Sequence, residues 1–194
     1  MITFKPKQVT KKLLATLGDR ARDVLEKRYG LGKDGETYTL EAIGQTYGIT
    51  RERVRQIENY ALQTIRKSDA YMEQQSVFDE LKTAINELGG GLIPEDVLLE
   101  EIAPDSSTRN DIFFLLVLGD PFYRSKENTA YAHRWYTEKK ITEMVEKGLK
   151  NVYQSLNRDD LITEDEILER FRNELIGIAD KQDEQVLKRW LMIS

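Results

Sequence analysis

Apolar residues recur every three or four positions along most of this chain, and that spacing predicts amphipathic α-helices. One such helix follows Thr50, because Val54, Ile57, Ala61 and Ile65 fall on a single stripe that would pack inward. Thr50 is a good N-cap for this helix. The pattern therefore leaves the charged side chains of its first turns on the exposed side.

A shorter helix is predicted just upstream, over residues 40–47, with Thr39 as its cap. Gly48 would supply the positive φ that a tight interhelical turn needs, and Gly44 would let the second helix approach closely. An ordinary helical hairpin could use Gly48 but would not need a small residue at Gly44. We therefore predict a helix-turn-helix.

The exposed turns of the second helix carry side chains suited to reading bases. Arg51, Glu52 and Arg53 lie in the first turn, and Arg55 and Gln56 lie one turn further on. Arginine pairs with guanine, glutamine pairs with adenine, and glutamate accepts a hydrogen bond from cytosine N4. The alternative for this stretch alone is a solvated surface helix with intrahelical pairs. The upstream helix and turn favour a DNA-reading helix.

From Leu13 to Lys67 the chain resembles region 4 of bacterial sigma factors of the sigma-70 family, the module that reads an upstream promoter element. The matching stretches are Arg20–Leu31, Tyr38–Gly44 and Ile49–Glu58. The last of these is close to the family's signature.

The resemblance implies which side chains contact DNA. Base contact is implied for Arg51, Glu52, Arg55 and Gln56. Arg53 is implied to contact a phosphate or a partner, and we add Thr39 as a DNA contact beside the first helix.

The resemblance also implies RNA polymerase as a partner, through the flap of its beta subunit. The apolar residues that could hold the flap fit the domain's own core equally well, and we assign most of them to the core. They are Leu13, Leu17, Val24, Leu25 and Tyr29.

Two features depart from the family's pattern. The stretch before the first region 4 helix is short, so a chain with these ends would lack the promoter-melting region of a self-sufficient initiation factor. Tyr60 and Gln63 also stand where the family commonly carries basic residues, before Arg66 and Lys67. This departure concerns contacts to phosphates and activators, not base reading.

The charge is divided between a basic head and an acidic body. Residues 1–68 hold 14 Lys and Arg against 8 Asp and Glu, a net charge of +6, and the other 126 residues hold 15 against 26, a net charge of −11. A basic head favours contact with the phosphates of double-stranded DNA. The chain has no cysteine, no apolar run of about 18 residues and no signal core, so we expect a cytoplasmic protein without a membrane partner.

A second domain is predicted over residues 69–137, after a polar connection that we expect to be helical with a break. Three helices, the last over residues 110–118, precede two alternating aromatic-rich segments joined by a turn at residues 126–129. Three helices and a β-hairpin make a winged helix, and residues 76–137 resemble the HARE-type helix-turn-helix domain. The fold class predicted is therefore mainly α, with a helix-turn-helix domain over residues 1–68 followed by a winged helix and a further helical unit.

The predicted wing offers Arg124, Lys126 and Arg134 as contacts to DNA. The third helix has Arg109 as its only basic residue and is surrounded by acidic side chains. Because a negative local field disfavours phosphates, we prefer protein interaction over DNA contact for this domain.

The third predicted domain, residues 138–194, partly repeats the second. Residues 161–170 echo residues 92–101 at an offset of 69, and a helix precedes each copy. A truncated repeat that packs as a helical cap, a chain cut before its wing, and coincidence between two acidic amphipathic helices are the alternatives.

The residues give little support for an enzyme, a metal or a cofactor. His133 has no nucleophile or second histidine nearby, and the acidic residues 159, 160 and 164–166 suit helix capping better than a calcium loop or nuclease cluster. We therefore expect a noncatalytic, sequence-selective DNA-binding transcription factor that contacts RNA polymerase. The alternative is an adaptor that binds polymerase or another factor without reading DNA, and a nucleic-acid-processing enzyme ranks third.

Overall fold

The computed structural model describes residues 2–103, 105–157 and 161–194, and these residues are mainly helical, as predicted. The helices are α1 (Pro6–Leu14), α2 (Asp19–Tyr29), α3 (Leu40–Tyr47), α4 (Arg51–Arg66), α5 (Asp69–Met72), α6 (Gln75–Gly89), α7 (Glu95–Ile102), α8 (Ser106–Leu118), α9 (Lys139–Ser155), α10 (Glu164–Glu174) and α11 (Glu184–Leu191). The strands are β1 (Leu92–Pro94), β2 (Tyr123–Ser125) and β3 (Arg134–Tyr136). Within the described ranges, no helix has both the length and the apolar character needed to cross a membrane.

The chain forms two compact units, and each is built from two stretches of sequence. The first unit comprises Met1–Leu81 and Leu99–Asp120, and the second comprises Lys82–Leu98 and Pro121–Ser194. These units differ from the predicted domains 1–68, 69–137 and 138–194, because α8 packs against α1 and α2 of the first unit. The three domains remain a prediction about sequence segments.

The helix-turn-helix of the first unit is formed by α3 and α4. The Thr39 hydroxyl accepts a hydrogen bond from the Ala42 amide at 3.1 Å, and the Thr50 hydroxyl accepts one from the Arg53 amide at 3.2 Å. Both side chains therefore cap their helices as predicted. Gly48 ends α3 in the left-handed conformation, with φ of 62°. Val54 from α4 is fully buried beside Val24 and Ile43.

Gly44 sets how closely the turn approaches α3. A Cβ at this position would lie 2.7 Å from the Ile49 carbonyl oxygen and 3.5 Å from the Arg51 amide nitrogen. The turn between α3 and α4 therefore passes so close to position 44 that only glycine, which has no Cβ, fits there.

Helix α8 is a core element of the first unit. The Tyr29 ring lies against the Phe113 and Phe114 rings, with centroids 6.2 and 5.3 Å apart. The Asn110 side chain donates to the carbonyl oxygens of Gly30 at 3.1 Å and Gly35 at 3.0 Å. The helix starts at Ser106 rather than at the predicted position 110, because the Asp105 carboxylate caps it by accepting from the Thr108 amide.

The second unit contains a three-stranded antiparallel sheet of order β1-β3-β2. The predicted turn lies in a longer loop, where the Asn128 carboxamide oxygen accepts from the Ala130 and Tyr131 amides at 2.8 and 3.0 Å. The sheet packs through Leu92 on a cluster contributed by α9, α10 and α11.

Trp190 joins α11 to the start of β1. Its indole Nε1 donates to the carbonyl oxygens of Gly89 at 2.8 Å and Leu92 at 2.9 Å, and its ring is fully buried. The Arg189 guanidinium donates to the Leu88 carbonyl oxygen at 2.6 Å. The last helix thus satisfies carbonyl groups at the end of α6 that would otherwise be buried without donors.

The predicted repeat differs between its two copies. Residues 92–94 form β1, whereas Leu161 is fully exposed and residues 161–163 form no strand. Glu166 belongs to a capping box with Thr163, in agreement with the predicted capping role of this acidic stretch. Asp159 and Asp160 lie outside the described residues, and the repeat remains a prediction.

Replacing Gly44 with alanine should destabilise the first unit by about 1–3 kcal/mol, because the added methyl group overlaps the Ile49 carbonyl. Urea unfolding followed by circular dichroism measures the loss. The matched control is Gly18→Ala, since a Cβ at Gly18 meets nothing within 4 Å and φ there is −67°. Equal losses for both variants would contradict the close approach at Gly44.

Replacing Trp190 with phenylalanine should destabilise the second unit by about 1–3 kcal/mol, because two buried carbonyl groups lose their shared donor. The chain has two tryptophans, so the fluorescence of Trp135 reports the unfolding of this unit in the variant. Tyr153→Phe, at a side chain that is 78% exposed, should leave the transition unchanged. A stable Trp190→Phe variant would show that ring packing alone holds α11.

Candidate nucleic-acid interface

Helix α4 exposes all five side chains that the sequence assigns to the reading face. Arg51, Glu52, Arg53, Arg55 and Gln56 are exposed. The inward stripe of the same helix is buried, with Val54, Ala61 and Ile65 fully covered and Ile57 partly covered. The structure therefore separates a core face from a polar face, as predicted.

Two contacts hold α4 in its orientation, and the sequence alone did not reveal either of them. The Tyr29 hydroxyl of α2 donates to the Glu58 carboxylate at 2.9 Å, and the Arg28 guanidinium lies 3.5 Å from the same carboxylate. Burial, followed by the nearby Glu58 charge, raises the pKa of the Tyr29 phenol well above its usual range. The hydroxyl thus stays protonated and holds the middle of α4 against α2.

Arg66, at the end of α4, is partly buried and binds the end of α8. It donates to the carbonyl oxygens of Leu118 and Val117, each at 2.9 Å. These groups end α8, so the Arg66 guanidinium caps that helix. Because α8 is distant in sequence, helical spacing gave no signal for this role.

Within the reading face, the charged side chains are paired along the helix. Arg55 donates two parallel hydrogen bonds to Glu52, with Nε to Oε2 at 2.8 Å and Nη2 to Oε1 at 2.7 Å. These bonds hold the pKa of the Glu52 carboxyl below its usual range. Arg53 Nη1 donates to the Gln56 carboxamide oxygen at 3.0 Å.

The pairing leaves the reading groups able to bind bases. A carboxylate oxygen has two lone pairs, so Glu52 can accept from a cytosine amine while it accepts from Arg55. The Gln56 oxygen likewise has a second lone pair, and its amide nitrogen carries the donor that adenine N7 requires. The geometry therefore presents acceptors and donors whose rotamers are already restricted.

Thr39 lies at the exposed start of α3. Its oxygen accepts from the Ala42 amide, while the hydroxyl proton remains a donor. A hydroxyl at a helix start in a helix-turn-helix suits a phosphate oxygen better than a base.

The three predicted wing contacts differ in exposure. Lys126 is exposed, but Arg124 donates to the Glu95 carboxylate at 2.7 Å. Arg134 is only 4% exposed and donates to Glu146 and to the Ala132 carbonyl oxygen, both at 3.0 Å. Buried guanidinium groups need such acceptors, so two of the three cations serve the second unit internally.

The apolar residues that could have held a polymerase flap are buried in the first unit. Leu13, Leu17, Val24, Leu25 and Tyr29 are at most 8% exposed. Helix α8 packs on α1 and α2, the helices that carry most of them. The assignment of these residues to the core is confirmed.

Comparison with known proteins matches a protein family to the segment that contains the helix-turn-helix. The family described as sigma-70, region 4 matches residues 13–67. Over 54 residues the chain is 57% identical to the RNA polymerase sigma factor SigA1 of Synechococcus elongatus. The aligned segment covers 28% of this chain and 13% of that relative. No solved structure gives a significant match. Residues 13–67 therefore form a sigma-70 region 4 domain.

Proposed function

We propose that this protein is a noncatalytic transcription factor that binds one preferred duplex sequence through α4. The observation that carries the proposal is the exposed reading face, with Arg51, Glu52, Arg53, Arg55 and Gln56 on two successive turns of a region 4 domain. These side chains supply the donors and acceptors that distinguish base pairs in the major groove.

The charge distribution supports the same task. The first 68 residues carry a net charge of +6, which favours association with phosphates in any sequence. Arg51 and Glu52, at the N-terminal turn of α4, lie where a recognition helix meets base edges. In the proposal Thr39 and Arg53 contact phosphates and fix the register of the domain on the duplex.

RNA polymerase is the proposed protein partner. The support is the matched relative, whose name describes an RNA polymerase sigma factor. The chain spans about an eighth of that relative's length, so the partner is transferred by analogy of the domain alone. The proposed contact is with the beta flap, and because the apolar candidates on α1 and α2 are buried, other residues of the domain would make it.

We propose a winged helix for the domain predicted over residues 69–137, which would serve protein interaction. The element order α6-β1-α7-α8-β2-β3 and the strand order β1-β3-β2 support it. Arg124 and Arg134 bind acidic side chains of the second unit, which leaves Lys126 as the exposed cation of the proposed wing contact.

Selective base reading predicts an unequal loss of affinity in two variants of α4. Arg55→Ala and Gln56→Ala should each weaken binding to the preferred duplex by roughly 5- to 150-fold, as for loss of a good bidentate contact. Binding to random duplexes should fall much less. The measurement is fluorescence anisotropy at fixed salt, after selection of the preferred duplex from a random pool.

Arg170→Ala is the matched control, because it removes an exposed arginine from α10 in the second unit. It should leave both affinities unchanged. Equal losses on preferred and random duplexes for Arg55→Ala and Gln56→Ala would mean that these residues touch only phosphates.

The adaptor alternative predicts a different result in the selection itself. If the region 4 domain binds protein without reading DNA, the chain copurifies with core polymerase, but no sequence is enriched from the random pool with or without polymerase. Our proposal predicts enrichment by the protein alone, because the reading face is exposed in the free chain.

A further inference from the structure

The exposed face of α4 continues one turn beyond the reading residues and changes its chemistry there. Tyr60 is 68% exposed, and Gln63 and Lys67 follow it on the exposed side. Tyr60 lies four residues after Gln56, so the two side chains are neighbours on one side of the helix. The surface that would face DNA therefore ends in a tyrosine and a glutamine before the first lysine.

Distance along the helix places Tyr60 at the edge of a major groove. With a rise of about 1.5 Å per residue, Tyr60 lies roughly 13 Å beyond Arg51, and the groove is roughly 12 Å wide. When the first two turns of α4 lie on base edges, the third turn reaches the phosphates that border the groove.

Two shallow surface grooves flank the Tyr60 ring. A shallow groove on one side of its ring is lined by Arg53, Gln56 and Ile57. A second groove on the other side is lined by Thr16, Gln63, Thr64, Lys67 and Ser68. The first groove is continuous with the proposed reading face, so the same duplex could extend across it to the tyrosine hydroxyl.

The donors on this turn are neutral. A tyrosine hydroxyl and a glutamine amide both donate hydrogen bonds to phosphate oxygens, but neither displaces a counterion. Thr64 is already committed, because its hydroxyl donates to the Tyr60 carbonyl oxygen at 2.8 Å. Tyr60 and Gln63 are therefore two neutral donors available to a backbone at this position, with the exposed Asn59 carboxamide beside Tyr60.

We infer that Tyr60 and Gln63 make a neutral hydrogen-bonded contact with the sugar-phosphate backbone that flanks the sequence read by α4. This inference rests on the proposed function of the reading face. Neutral contacts add affinity without adding to its dependence on salt, since that dependence follows the number of phosphates neutralised by cations. In a protein whose residues 69–194 carry a net charge of −11, part of the DNA affinity would then persist when salt screens charge.

The test is a salt series of dissociation constants for the preferred duplex, measured with full-length variants. Tyr60→Phe keeps the ring and removes the hydroxyl, and it should weaken binding by roughly 2- to 10-fold at every salt concentration. The slope of log affinity against log salt should not change. Lys67→Ala serves as the cationic comparison and should reduce that slope by about 0.9 if Lys67 neutralises a phosphate.

Tyr153→Phe, on α9, is the matched control and should have no effect on DNA binding. Gln63→Ala should behave like Tyr60→Phe. Both altered positions on α4 are exposed, so thermal unfolding should show unchanged stability and loss of fold cannot account for the result.

The outcomes separate this inference from the proposed function. If Arg55→Ala loses selectivity but Tyr60→Phe binds like the parent protein, the backbone contact is overturned and base reading stands. A changed salt slope for Tyr60→Phe, or an effect on polymerase binding without one on DNA, also overturns it. If neither Arg55→Ala nor Tyr60→Phe alters duplex binding, both proposals fall.

Discussion

The close approach of the interhelical turn to α3 at Gly44 is the constraint on which the reading face depends. The Ile49 carbonyl oxygen lies where a side chain at Gly44 would begin. Gly48 turns the chain in the left-handed conformation, and Thr50 then caps α4 through the Arg53 amide. Because these steps lie within seven residues, they set the direction of α4 and the rotation of its polar side.

The same rotation is maintained from the interior of the first unit. Glu58 accepts from Tyr29 on the inward side of α4, and Arg66 ends the helix by capping α8. Asn110 of α8 in turn donates to the carbonyls of Gly30 and Gly35, in the loop after α2. A helix outside the family segment therefore completes the packing of the region 4 domain, and its Phe113 and Phe114 rings lie against Tyr29.

Local signals in the sequence predicted the helix-turn-helix and its exposed face. Caps, glycines and helical spacing act within a few residues, so the sequence predicts the caps at Thr39 and Thr50, the turn at Gly48 and the exposure of the polar face of α4. The partners of Arg66 and Arg134 could not be predicted in this way, because their acceptors come from other elements. The same limit applies to α8, because no local pattern indicates its packing against α1 and α2 in the first unit.

Pairing within the reading face has a consequence for selectivity. Arg55 and Glu52 are both more than half exposed, so their mutual attraction is screened by water and contributes little to stability. It still reduces the positive charge that Arg55 presents to any phosphate. A random duplex would gain little by breaking the pair, whereas a sequence that offers a donor to Glu52 and an acceptor to Arg55 could bind the pair intact. In the proposed function, this internal pairing weakens nonspecific association more than specific binding. The net charge of +6 on the first 68 residues supplies the general attraction to phosphates.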